Sequence, residues 1–155
     1  MPDYLAAEAK RQKRQRAKPR LLESATQQAL VQIAWLHRNH PRYEIIARML
    51  WSSQNGANVE PHHRERLVRE GMSIGYPDLG LDVARGGWHG MRVEMKAPKA
   101  RTGKEHAERQ ERRRYWLHRE GYYCVVCDDA ERAWCLLCDY VDGRIVRQVG
   151  DNDAT

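Results

Sequence analysis

The sequence predicts an α/β protein with a mixed central β-sheet flanked by helices. Three observations carry this prediction. Two runs around Leu79 and Val93 alternate apolar and polar residues with the period of a strand. The stretches Leu21–His40 and Asp128–Tyr140 instead place their apolar residues at helical spacing. Strands and helices follow one another along the chain rather than falling into separate blocks. At 155 residues the chain fits one domain with a modest core.

Taken in order, residues 10–20 hold seven basic residues in eleven, a self-repelling block that suits a flexible arm contacting phosphates through Lys10, Arg11, Lys13, Arg14 and Arg16. Pro19 separates this arm, residues 1–20, from the folded part, residues 21–143. In the first helix Leu22, Ala25, Ala29, Leu30, Ile33 and Leu36 form an apolar stripe, and Pro41 halts it. Glu23 lies near its start, where a carboxylate suits the helix dipole. Tyr43–Trp51 reads as a strand ending in Ser52-Ser53-Gln54-Asn55-Gly56, whose Asn-Gly pair is turn chemistry. Pro61 and Gly71 bracket a short basic helix, His62–Glu70, with Arg64, Arg66 and Arg69 turned to solvent or to DNA.

Beyond the two alternating runs, Thr102-Gly103-Lys104-Glu105 reads as a capping box that starts a helix to about Glu120, with Gly121 as its C-terminal cap. Gln110 lies one heptad before Leu117 and so on the inward face, where a polar group needs a partner. Tyr122–Cys127 is apolar throughout, which predicts a strand buried on both faces. Asp128–Tyr140 is a capped helix turning Ala130, Ala133, Trp134, Leu137 and Val141 inward, and residues 144–155 form a last short strand or tail from Arg144-Ile145-Val146.

The chemistry concentrates between residues 75 and 98. In Met91–Lys96, Met91, Val93 and Met95 share one face while Arg92, Glu94 and Lys96 share the other. In the preceding run Leu79, Leu81 and Val83 are apolar, and Asp78, Gly80 and Asp82 face away. The linker Ala84–Gly90 holds three glycines, enough to return the chain as a hairpin. Pairing the polar faces brings Asp78 against Glu94, with Lys96 alongside. Two carboxylates that close repel each other. A divalent cation removes the repulsion, and oxygen ligands favour Mg²⁺, with Mn²⁺ able to substitute. The Met95 carbonyl is a further ligand on geometric grounds. A neighbouring lysine then orients water or steadies charge on a phosphate.

Composition narrows the field. A net charge of +6 favours an anionic partner, first of all nucleic acid. No run of 18 apolar residues is present to span a membrane, and the start carries no secretory pattern, so a cytoplasmic protein is expected. Cys124/Cys127 and Cys135/Cys138 form two CxxC pairs. Residues three apart on a strand point to opposite faces, so zinc is not expected and the thiols are read as small buried hydrophobes. His37, His40, His62 and His63 have no acidic or cysteine partners at suggestive spacing.

Gly75-x-Pro77-Asp78 followed by Glu94-Met95-Lys96 resembles the signature of the PD-(D/E)xK nucleases, and more narrowly of their VRR-NUC (virus-type replication-repair nuclease) branch. Gln110, Gly121-Tyr122 and the strand after them, with Glu23, Gln27 and Ser53–Gly56 upstream, extend the likeness over roughly residues 21–141. The interval from Lys96 to Gln110 is longer than in compact members, by about one helical turn, which preserves the facing of Gln110. The resemblance implies a restriction-endonuclease-like core for the nuclease domain, residues 21–143. It also implies a Mg²⁺-dependent deoxyribonuclease of phage or prophage type, active as a homodimer on branched DNA such as Holliday junctions or flaps. The catalytic set would be Asp78, Glu94, Lys96 and Gln110. Asp78, Glu94, Met95 and Glu23 would hold the metal, and Lys99 and Arg101 would add DNA contacts. The alternative is a non-catalytic basic DNA-binding module whose nuclease site is vestigial.

Overall fold

The computed structural model describes residues 19–53, 60–97, 103–148 and 150. Lys10, Arg11, Lys13, Arg14, Arg16, Lys99 and Arg101 lie outside the described residues, as do Gln54, Asn55 and Gly56. In chain order the elements are α1 (Pro19–Leu36), α2 (Glu44–Met49), β1 (Leu50–Ser52), α3 (Pro61–Arg69), β2 (Leu79–Leu81), β3 (Gly90–Met95), α4 (Lys104–Arg119), β4 (Tyr122–Cys127) and α5 (Ala130–Val141). The four strands form one sheet in the order β1-β2-β3-β4. The first two pairings are antiparallel, and β3/β4 is parallel, joined by the α4 crossover that a parallel connection requires. The fold is therefore α/β with a mixed sheet between helices.

One face of the sheet is apolar. Leu79, Leu81, Met91, Val93 and Met95 are buried there against Leu30 and Ala34 of α1, Ile46 of α2, and Ala133, Leu137 and Tyr140 of α5. Tyr140 pairs its hydroxyl while buried, donating to the Val83 carbonyl at 2.7 Å. The opposite face is polar. Arg92, almost fully buried, pairs with Asp82 at 2.9 Å and lies over the rings of Trp51 and Tyr122, 5.1 and 4.2 Å from their centroids. It fits because Gly90 has no side chain: a Cβ there would come within 3.3 Å of the Arg92 guanidinium.

Several expectations are corrected. Residues 44–49 are helical, not part of a long strand, and only Leu50–Ser52 joins the sheet. Ile46 turns fully into the core beneath α1, so packing overrides the strand preference of the paired isoleucines. Leu22 and Leu36 are exposed, and the inward stripe of α1 is narrower, centred on Leu30 and Ala34. The N-cap of α4 is Gly103, without a side-chain cap; Thr102 lies outside the described residues. The strand β4 is an edge strand and only half-buried, with Val126 exposed. Residues 144–148 form no strand. They run as a tail along the β2–β3 loop, where the Arg147 N–H donates to the Gly86 carbonyl at 2.8 Å.

Gly80 sits under the Trp51 ring, where a Cβ would meet the indole at 2.3 Å. The Trp51 Nε1–H donates to Asp82 at 2.8 Å, so the ring cannot swing aside without losing that bond. Gly80→Ala should lower stability by about 1–3 kcal/mol, seen as a lower urea midpoint at unchanged slope. An unchanged midpoint would mean that the ring moves freely.

Candidate active site

The β2/β3 register sets Leu79 opposite Val93 and Gly80 opposite Arg92, which places Asp78, just before β2, opposite Glu94. The Asp78 carboxylate accepts the Met95 N–H at 2.8 Å, so it is tied to the same strand end. Glu94 is buried and accepts from Lys96 Nζ at 2.8 Å. Gln110 completes the group from α4: its Oε1 accepts from Lys96 at 2.9 Å and its Nε2 donates to Glu94. Gln110 and Leu117, one heptad apart, are both inward on α4. Lys96, Glu94 and Gln110 thus form a closed triangle, each side chain held by the other two.

These groups line one cleft of about 100 Å³. Glu23 reaches it from α1, one heptad before the buried Leu30, and accepts the Ala97 N–H at 3.3 Å. Met95 borders the cleft although its side chain is in the core, so its main chain faces the site. The cleft therefore brings together Asp78, Glu94, Met95, Lys96, Gln110 and Glu23 from four separate segments.

Three polar lining residues, Tyr76, Arg64 and His106, were not singled out for the site by sequence reasoning. Tyr76 accepts a bond from Arg92 Nε at 3.4 Å, and Arg113 lies over its ring. Arg64 comes from the basic helix α3, and His106 from the first turn of α4. His106 is four residues before Gln110, the helical neighbour spacing, which is the signal that would have found it. Arg64 carries no such signal, because its place depends on how α3 docks.

Burial sets the electrostatics. Desolvation raises the proton affinity of Asp78 above the usual carboxylate range, and the Met95 N–H and Lys96 only partly offset it. Glu94 is pushed up to about 7, first by burial and then by the charge of Asp78, against the pull of Lys96. His106 is held below the ordinary imidazole value by desolvation and by Lys96 and Arg109.

The sequence matches no family model and no curated protein. In three dimensions the chain is similar to a solved structure described as a "VRR_NUC domain protein". The two share 25% identity over 78% of this chain and 88% of that one, with a TM-score of 0.60. The fold is a VRR-NUC fold.

Within this VRR-NUC fold the donor set suits a hard divalent cation. Glu94 is buried and Asp78 partly so; the charge of Asp78 adds to the proton affinity of Glu94, while that of Asp78 is raised by its own desolvation and by Glu23. No group of three His, Cys, Asp or Glu side chains converges among the described residues. A cation here would draw its remaining ligands from main chain and water, as Mg²⁺ commonly does. The thiols are placed differently: Cys124 and Cys127 lie three apart on β4, and burial lifts Cys124 to about 11.

A stability prediction follows from Glu94. Its proton affinity is higher in the folded protein, about 7 against an ordinary 4.5, so the folded state binds the extra proton between those values. Stability therefore falls as pH rises through that window. The metal-free protein should lose about 5–10 °C of Tm between pH 5 and pH 8 relative to Glu94→Gln. Parallel pH profiles of the two proteins would contradict the shift.

Proposed function

We propose that the protein is a Mg²⁺-dependent nuclease that hydrolyses phosphodiester bonds in DNA, with a preference for branched substrates. The observation that carries this reading is the convergence of Asp78, Glu94, Lys96 and Gln110 on one cleft, within a VRR-NUC fold.

Asp78 and Glu94 would hold the cation, with the Met95 main chain beside them and Glu23 at the rim. The bound cation would supply Lewis-acid charge to the phosphate and lower the pKa of water. Lys96 has three N–H donors as an ammonium, and Glu94 and Gln110 take two of them. The third is left for the attacking water or a phosphate oxygen. Water attacks phosphorus and gives its proton to solvent, the bond to one strand oxygen breaks and that oxygen takes a proton from solvent, and Lys96 faces the charge that builds on the phosphoryl oxygens. Gln110 contributes by holding Lys96 and Glu94 in register. Arg64 at the mouth adds positive charge for the incoming backbone.

Branched-DNA preference rests on the resemblance and on the basic charge of the chain. A two-fold junction would suit a two-fold dimer, since each subunit offers the same surface.

The test is cleavage of end-labelled four-way junction, flap, splayed-arm and linear DNA in Mg²⁺, Mn²⁺ or EDTA. Wild type should cut branched DNA fastest and only with metal. Lys96→Ala and Asp78→Asn should each lose about 100-fold or more. Binding without cutting under every metal condition would overturn the enzyme reading and leave a DNA-binding module.

A further inference from the structure

Beside the polar cleft lies a second, apolar cavity of about 530 Å³, between α3 and the segment leading to β2. It is open to solvent along one side, a groove rather than an enclosed chamber. It is lined by Val68 and Ile74 with Arg64, Glu65 and Arg69, and shares Arg64 and Ile74 with the cleft that holds the carboxylates. Val68 is 40% exposed, so its apolar surface faces this opening rather than the core. The two cavities thus offer, side by side, a polar compartment with paired carboxylates and an apolar one bordered by Arg64, Arg69 and Glu65.

That order of polar then apolar matches a nucleotide, whose flat base lies next to its phosphate. We propose that the Val68/Ile74 cavity takes one unpaired nucleobase adjoining the phosphodiester in the cleft. The proposal rests on reading the cleft as a phosphodiester site. Aliphatic side chains and guanidinium planes both stack on bases, and neither demands a particular base. Arg64 lines both compartments and would hold the phosphate between them. A base within a duplex is paired and stacked on both sides and cannot enter unless it is flipped out. The subsite would therefore place the cut beside nucleotides already unpaired at a branch point, a physical basis for structure selection.

The test uses binding, so that it does not depend on cutting. Affinity for splayed-arm DNA is measured by anisotropy in EDTA at fixed low salt, with single abasic residues scanned through the branch point. Wild type and Val68→Trp, which fills the cavity, are compared. Wild type should lose about tenfold in affinity at one abasic position. Val68→Trp should bind about tenfold more weakly to intact DNA and lose nothing further at that position. Val68→Ala should keep the position dependence with a smaller loss, which separates cavity filling from misfolding. A wild type indifferent to every abasic site, or a Val68→Trp protein that responds as wild type does, would overturn the subsite. Absence of cleavage in Mg²⁺ would count against the nuclease reading alone.

Discussion

The structure turns on two carboxylates drawn in at one end of its sheet, Glu94 buried and Asp78 partly so. Removing a carboxylate from water costs several kcal/mol unless charge or hydrogen bonds replace the lost hydration. Here the replacement comes from three directions: the Met95 N–H to Asp78, Lys96 to Glu94, and the Gln110 amide from the crossover helix. Each donor is fixed by the fold. The parallel β3/β4 pair forces a helix between the strands, and that helix carries Gln110 across the polar face. The site is thus a consequence of sheet topology.

The polar face explains features that are odd when taken singly. Helix α4 has few apolar residues because it lies against a face built from Arg92, Glu94 and Lys96 rather than against the apolar core. Gly80 makes room for the Trp51 ring and Gly90 for Arg92, whose guanidinium reaches Asp82, Tyr76 and two aromatic rings. A buried arginine two residues from Glu94 stiffens the strand that presents the carboxylate. It also holds Tyr76 at the edge of the cleft. Binding geometry and fold stability are served by the same side chains.

Much of this was legible because the decisive contacts are local. Asp78 and Glu94 are joined by one hairpin, so strand alternation alone predicts their pairing. Gln110 was visible through its heptad relation to Leu117, and Glu23 only through its place near the start of the first helix and the family resemblance. Legibility failed where tertiary packing decided the outcome. Tyr43–Trp51 has the isoleucines of a strand, yet Ile46 pays better under α1, as part of a short helix. Tyr122–Cys127 is apolar throughout, but its place at the sheet edge leaves Val126 in solvent. Arg64 is indistinguishable in sequence from Arg66 and Arg69, because only the docking of α3 separates them.

The loop closing the hairpin has an unusual guard. Gly86 and Gly87 take positive φ in a tight turn bridged by Arg85 and Trp88. A Cβ on Gly86 would strike the Ile145 carbonyl at 2.2 Å. Surface hairpin loops are ordinarily the first choice for inserting epitopes, reporters or fused domains. This one is a poor choice, because the tail after α5 occupies the space into which an insert would grow. An insert there would displace the tail and slacken the two strands that carry Asp78 and Glu94. Protein engineers would do better to leave the Gly86 turn and the tail that covers it intact.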